Sequence, residues 1–521
     1  MPDDYDALVL EARFHRSLAE YRSAGGSEAM ALLDTALARV KRAVTVDPSR
    51  GLARQEMAET YRQRGEARQR QNLDPSAELA LAIAAIESIP VTERVALDHA
   101  NLGLIYKIWA DYEDGAGASS DVHRSAAIDA FRRAIQLDPK LHAAWGNLGG
   151  NYYMRAMLPS HRDDDLRAAI EALTQAKALD ADNVVPYFYI GEAYRLMAQR
   201  ERAREDKPEE TIKRAIAAYE QGRKVNPRIP HLPNGIGLVA MVEAAELVDT
   251  GKDPESVFER ARVTFEQAIA FDADYAYSYW NLGELALMRA RLAHERGRDP
   301  RALAHAAILQ IEKAIARIPD NAGFRATLGA AHSLVADYEL DRGIDPQPRA
   351  RAATIAAQAA IAKNLREAQA YIVIGDSLAT LARFRARRGH PADFHEAEAA
   401  YLSANKLSPD SQDHAFALGQ LYERWAAASR ARGLDPAPAL ERGMKRANEL
   451  LTKRPHWPTA LLWRANLTLV NAEHTSDLAK RRTLAEKSAD DFTAALAIRT
   501  DLQPRWERRA ALARRLAGRS P

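Results

Sequence analysis

The chain has 521 residues, with 73 Lys and Arg against 71 Asp and Glu, for a net charge of +2. That balance supplies no global field for nucleic acid or anionic lipid, and the absence of cysteine excludes disulfides, thiol nucleophiles and thiolate metal sites. No run of about 18 apolar residues offers a membrane span, and no secretory leader is visible, so the sequence predicts a cytoplasmic protein without cofactor, metal, nucleic-acid or membrane partner.

The chain opens on Tyr5-Asp-Ala-Leu-Val-Leu-Glu-Ala12. This segment has the pattern of a helix taken from inside an array, and the expectation from it is that Met1 stands within a longer protein. Further on, Asn101-Leu102-Gly103 precedes Tyr106, and Asn147-Leu148-Gly149 precedes Tyr152. The glycine returns at Gly191, Gly237, Gly283, Gly329, Gly375 and Gly419, at intervals of 42 to 46 residues. A fixed period in this range marks stacked supersecondary units, each too small to bury its own apolar face.

In phase with the glycines stand helix stops: Ile89-Pro90, Leu137-Asp138-Pro139, Val225-Asn226-Pro227, Ile318-Pro319 and Ser408-Pro409. Proline cannot continue a helix and biases its predecessor away from helical angles. Before the stops lie small-large-small stripes such as Ala127, Phe131, Ala134 and Ala261, Phe265, Ala268, which fall on one helix face. Each unit therefore reads as helix A, turn, helix B, stop. A mid-helix glycine costs about 0.5–1 kcal/mol relative to alanine, so its recurrence predicts a crossing with helix B too close for a β-carbon. Ala58 and Ala465 hold the same place in two units.

Trp or Tyr, then Leu-Gly, Tyr, Ala, a large residue, Ala and Pro is the pattern of the tetratricopeptide repeat. The stretch Trp145, Leu148-Gly149, Tyr152, Ala169, Leu173, Ala176 resembles it most fully. The period is longer than the usual repeat of about 34 residues, and the extra residues carry a junction motif, Gly-x-Asp-Pro. It occurs at Gly251–Pro254, Gly297–Pro300, Gly343–Pro346 and Gly433–Pro436. Glycine suits the left-handed close of helix A, and Asp-Pro suits the start of helix B. Leu73-Asp74-Pro75 is a partial copy, whereas Gly389-His390-Pro391 and Asp206-Lys207-Pro208 lack the capping Asp. Helix A is thus expected to outlast helix B wherever the motif stands.

The markers predict an all-α, right-handed solenoid of about eleven repeats. Its units lie near 5–48, 49–90, 91–139, 140–181, 182–227, 228–273, 274–319, 320–365, 366–409, 410–455 and 456–503, and a capping helix and tail occupy 504–521. A terminal helix of this kind covers apolar surface that the last repeat would otherwise expose.

The resemblance implies that helices A line a concave groove that binds protein or peptide. Carried onto this sequence, the groove positions are Tyr153, Met154, Phe188, Glu192, Arg195, Tyr277, Trp280, Glu284, Met288, Asp376, Gln420, Glu423 and Arg424. Aromatics flanked by charges have the composition of binding hot spots, and Trp280 and Phe188 stand off the repeat's packing positions. The family's carboxylate clamp needs Lys and Asn where this chain has Gly146/Gly150, Phe188/Glu192 or Trp280/Glu284, which argues against a chaperone-tail ligand. Asn101, Asn147 and Asn281 resemble the asparagine ladder of superhelical glycosyltransferases, but no catalytic domain follows them. The long repeats and their junctions also resemble the C-terminal arrays of large bacterial serine/threonine kinases, which implies a recruiting or regulatory arm. Self-assembly through the array's ends, as a dimer or filament, and the non-catalytic arm of an enzyme whose catalytic domain lies outside these residues are the alternatives.

Motifs that suggest catalysis fail on context. His161-Arg162-Asp163 lacks the asparagine of a kinase catalytic loop, with Ala168 in its place, and Gly235-Ile-Gly237-Leu-Val-Ala240 follows no strand. His294-Glu295 and His395-Glu396 lack the second histidine of a zinc-protease helix. The expected protein is a non-enzymatic binding scaffold.

Overall fold

The computed structural model describes residues 4–22, 27–71, 73–158, 163–204, 206–409 and 411–519. His161 and Arg162 of the kinase-like triplet lie outside these residues. The chain forms two compact units, Met1–Ala193 and Tyr194–Pro521. The described residues hold 23 α-helices, one short 3-10 turn and no strand.

In the first unit α1 (Tyr5–Tyr21) packs on α2 (Ser27–Val46), α3 (Leu52–Arg70) on α4 (Ser76–Glu87), α5 (Ala96–Gly115) on α6 (Asp121–Leu137), and α7 (His142–Ala156) on α8 (Asp163–Leu179). Helix α9 (Val184–Ala203) begins in this unit and ends in the second. The second continues with α10 (Glu209–Val225), then the pairs α11 (His231–Asp249) with α12 (Glu255–Phe271) and α13 (Ala276–Glu295) with α14 (Arg301–Arg317). After them come α15 (Ala322–Asp341) with α16 (Gln347–Lys363), α17 (Ala368–Arg387) with α18 (His395–Leu407), and α19 (Gln412–Ala431) with α20 (Ala437–Lys453). The last pair is α21 (Pro458–His474) with α22 (Leu478–Ile498), followed by the 3-10 turn Thr500–Leu502 and α23 (Gln503–Leu516).

The recurrent glycines sit where the two helices of a pair cross. A β-carbon on Gly103 would lie 2.7 Å from the Phe131 ring, one on Gly149 2.4 Å from Leu173 Cγ, one on Gly237 2.5 Å from Phe265 and one on Gly283 2.5 Å from Ile311. Each of those partners is fully buried on helix B, and burying such a side chain contributes about 1.5–3 kcal/mol. The repeat thus exchanges a glycine's helical cost for one large side chain seated against the backbone. Two pairs solve the crossing differently. Opposite Gly329 helix B offers the Ala353 carbonyl and the Ala356 methyl, with Val373 of the next helix A closer still at 2.9 Å, and Gly419 is faced by the Trp463 ring of the next helix A.

The junctions follow the motif. Gly251, Gly297, Gly343 and Gly433 have φ between 68° and 76°, the left-handed region that glycine enters without a Cβ penalty. Asp253, Asp299, Asp345 and Asp435 accept hydrogen bonds from the amides of Glu255, Arg301, Gln347 and Ala437 at 2.9–3.2 Å. Helices α11, α13, α15 and α19 run 19 or 20 residues against 17 in their partners. The expectation that the Gly389 junction has no capping aspartate is corrected: Asp393, two residues beyond Pro391, accepts from the His395 amide at 2.9 Å. The cap is displaced rather than missing, and Gly389 keeps its positive φ of 78°.

The period does not announce how the second unit ends. Segment 498–505 returns to elements some two hundred residues earlier. A β-carbon on Gly251 would lie 2.2 Å from the Ile498 carbonyl oxygen. Arg296 donates to Asp501 at 3.0 Å, and Arg499, only 1% exposed, pairs with Asp501 at 2.8 Å and with Glu295 at 3.5 Å. Arg505 Nη1 donates to the carbonyls of His294 and Glu295, both at 3.0 Å. Asp249 takes Arg454 at 3.0 Å and Arg202 at 2.5 Å. The repeats of this unit therefore come round until their end meets α13 and the α11–α12 turn. On its other side α23 buries Ala510 and Ala513, with Trp506 against Phe492.

Candidate functional site

One concavity in each unit is lined by three or more helices A. The first, of about 540 Å3, is bounded by residues of α5, α7 and α9: Lys107, Asp111, Gly146, Asn147, Gly150, Met154, Val185, Pro186 and Tyr189 among them. Its depth comes from missing side chains. A β-carbon on Gly150 would meet nothing within 4 Å, and one on Gly146 only Ala176 at 4.0 Å. Adjacent glycines in one helix thus have opposite roles: Gly149 faces Leu173 in the core, and Gly150 faces the cleft. One wall is held rigid by charge. Arg124, fully buried, donates to Asp111 at 2.8 Å and Asp114 at 2.5 Å, and Lys107 pairs with Asp111 at 2.8 Å. The Asn147 amide is exposed and donates to the Ala143 carbonyl at 2.9 Å.

The second concavity, of about 530 Å3, belongs to the second unit and is polar. Arg291 and His294 come from α13, Asp337 from α15, Gln369, Asp376 and Thr380 from α17, Gln420 and Arg424 from α19, and Arg505 from α23. Burial alone would raise the Asp337 carboxyl, but the Arg424 and Arg383 guanidiniums and His294 outweigh it and hold it well below the usual range. Asp376 behaves oppositely: burial pushes it up, Arg424 opposes this at 3.6 Å, and the Tyr401 hydroxyl donates to it at 2.5 Å. Burial and the neighbouring Asp376 charge push the Tyr401 phenol well up. His294, Asp337 and Asp341 bring ligand atoms within 4.8 Å of one another, the spacing of a cation site. Both carboxylates already carry arginines, Arg383 on the two of them, Arg424 on Asp337 and Arg387 on Asp341, so the cluster is an ion-pair network.

The groove positions expected from the sequence divide among these places. Met154 lines the first cleft. Asp376, Gln420 and Arg424 line the second chamber, and Glu423 lines a small cavity that shares Gln420, Glu295 and Arg505 with it. Tyr153 and Glu192 are buried, the Tyr153 hydroxyl donating to Glu192 at 3.0 Å. Phe188 is half-buried, edge-on to Tyr189 at 5.2 Å, and half-buried Arg195 donates to Gln199 at 3.2 Å. Tyr277 is exposed, while Glu284 and Met288 are half-buried, Met288 against the core of α11–α13. The expectation that Trp280 stands off the packing positions is corrected. Its Nε1 donates to Thr327 at 2.9 Å and its ring lies 5.3 Å from buried Phe324, so it ties α13 to α15.

Sequence reasoning missed Gly146, Gly150 and Tyr189 of the cleft and Arg291, Thr380 and Arg505 of the chamber. A signal existed for the first set, since Gly146 and Gly150 both stand off the recurrent glycine position on the helix of Gly149.

Paired helices, a glycine at each crossing and a large residue seated on it decide the fold. This is a tetratricopeptide-like repeat protein. No family model matches the sequence, and no curated protein does. Among solved structures, the array is similar to a thermophilic TPR protein of Thermus thermophilus, at 19% identity over 46% of this chain and 98% of that one, with a TM-score of 0.34. It is similar to the C-terminal part of a TPR repeat-containing protein from Cytophaga hutchinsonii, at 15% identity over 61% and 99%, with a TM-score of 0.37. Human IFIT1, a dimer with m7Gppp-AAAA, aligns at 12% identity over 88% and 90%, with a TM-score of 0.48. The assignment of the array to this fold rests on its own repeat geometry. No described helix is long and apolar enough to cross a membrane.

Proposed function

We propose that this array is a non-catalytic scaffold whose first unit binds an extended peptide in the cleft of α5, α7 and α9. One observation carries the reading. Gly146 and Gly150 keep open a channel of about 540 Å3 beneath Asn147, Met154 and Tyr189, although neither glycine is needed at a helix crossing. Helix-interior glycine costs stability relative to alanine, so its use where a side chain would fit points to an occupant. Apolar floor, an exposed amide and fixed charges on one wall suit a peptide backbone with apolar and charged side chains. The long repeats and Gly-x-Asp-Pro junctions support the finer reading of a cytoplasmic recruiting arm in a bacterial signalling protein such as a serine/threonine kinase.

Peptides selected by display against the intact protein supply the probe. Bound peptide should slow amide exchange in α5, α7 and α9 and leave α6 and α8 unchanged. Protection confined to the helices B or to α1 would overturn the assignment.

A second reading, self-association, is favoured by α1, where Leu10, Phe14 and Tyr21 are 67%, 62% and 88% exposed along one stripe. Exposed apolar stripes of this kind mark interaction faces. Light scattering over a concentration series, with Phe14→Glu as the control, distinguishes it: a mass that rises with concentration in the parent and not in the variant supports stacking through this face.

A further inference from the structure

We propose that the chamber of the second unit is a binding site for a compact phosphorylated metabolite, and that its occupant fastens the seam between α13 and α23. This inference is independent of the peptide cleft.

The chemistry of the lining selects the ligand. Four of its carboxylates are already paired: Asp337 with Arg383 and Arg424, Asp376 with Arg424 and the Tyr401 hydroxyl, Asp249 with Arg202 and Arg454, and Glu295 with Arg499. Its cations are not exhausted. Arg291 is exposed into this space and forms no ion pair among the described residues, although its charge lowers the Asp376 carboxyl, and Arg505 places one nitrogen on two backbone carbonyls. Against these two guanidiniums the lining sets one further carboxylate, that of exposed Asp413. Neutral groups are in surplus as well. Thr380 is 1% exposed, yet its hydroxyl has no hydrogen-bond partner, and the side-chain amides of Gln369 and Gln420 make no hydrogen bond among the described residues. A buried hydroxyl without a partner is costly and is rare in folded proteins.

Two guanidiniums outside the chamber's close ion pairs, an unpartnered buried hydroxyl and side-chain amides without hydrogen bonds match a dianion with acceptor oxygens. Guanidinium binds phosphate in a bidentate fork more strongly than neutral donors do. The volume of about 530 Å3 lies in the range of small-molecule sites, about 300–1,000 Å3. A bulk apolar ligand would strand these groups.

The same geometry couples the site to the seam. Arg291 belongs to α13 and Arg505 to α23, and Arg505 already touches the end of α13 through His294 and Glu295. An anion held by both arginines favours the closed state over the opened one by its differential affinity for the two.

The test uses the full chain, calorimetric titration with inorganic phosphate, pyrophosphate and AMP, and sodium chloride at matched ionic strength. The proposal expects saturable binding of at least one phosphate probe, with slowed amide exchange at 249–251 and 498–505. Arg291→Ala should lower that affinity at least tenfold without changing the melting temperature of the unliganded protein, and Thr380→Val should lower it several-fold. Arg388→Ala, a surface arginine stacked on Phe384, should leave it intact. Phosphate effects matched by chloride, or full affinity in Arg291→Ala, would overturn the proposal. Tighter binding of a single-stranded oligoribonucleotide than of any phosphate probe would also overturn it, by assigning the site to nucleic acid.

Discussion

The cleft of the first unit and the chamber of the second are lined by the same positions of the same repeat, yet they differ in kind. The cleft is made by subtraction: Gly146 and Gly150 leave a channel with an apolar floor between helices that cross normally. The chamber is made by return: residues near 500 come back to residues near 295, and charges from α13, α15, α17, α19 and α23 converge. A tetratricopeptide-like frame therefore fixes where a concavity lies, while short-range deletions and long-range closure decide its chemistry.

The largest effect expected is at the seam. Asp249→Ala removes the partner of Arg454 and Arg202 together, and breaking a largely buried charge network from one side costs about 3 kcal/mol. Denaturant unfolding should show the loss, with fast amide exchange in 498–505. Normal protection there would mean that the return contact is incidental. Next comes Gly283→Leu, whose β-carbon falls 2.5 Å from Ile311. Overpacking of this kind costs about 1–3 kcal/mol, and because repeats contact chiefly their neighbours the damage should stay within α13–α16. Loss of protection along both units would contradict a solenoid.

Trp280→Ala should lower stability by about 2 kcal/mol, less than a fully buried tryptophan loses, since its ring is half-buried against Phe324 and Thr327. An unchanged melting temperature with weakened ligand binding would restore it to the binding surface. The smallest effect concerns pH. The Asp337 carboxyl is held below its ordinary value, so its contribution is complete above the unfolded pKa and is lost as pH falls through the folded one, below about pH 4. Asp376 is raised, so ionising it opposes folding as pH rises through its folded pKa. Melting curves from pH 3 to 7 should therefore show a shallower acid limb for Asp337→Asn and a slightly raised neutral plateau for Asp376→Asn. The same change in both variants would show that the two carboxylates do not have opposite signs.

Much of the fold was legible because its cause is local. A glycine, a small-large-small stripe, a proline stop and a Gly-x-Asp-Pro turn each act within one unit, and repetition separated them from chance. Legibility failed where one residue depends on another unit. Gly419 is faced by Trp463 of the next helix pair, and Asp249 of α11 meets Arg454 at the end of α20. The groove positions carried over from the repeat pattern include Met154, which lines the cleft, and Asp376, Gln420 and Arg424, which line the chamber. They did not distinguish a side chain turned into the space from one, such as Tyr153, turned onto its neighbour.

Gly149 and Gly150 test the central claim most directly, because they are consecutive residues assigned to opposite faces. Melting and the affinity of a display-selected peptide should be measured together on Gly149→Ala and Gly150→Phe. The first variant should melt lower, as its new methyl meets Leu173, and bind as tightly as the parent while folded. The second should melt at or above the parent temperature, since helix-interior glycine is unfavourable, and lose at least tenfold in affinity, about 1.4 kcal/mol. A Gly150→Phe protein that binds the peptide as well as the parent would contradict the account and remove the cleft as the binding site.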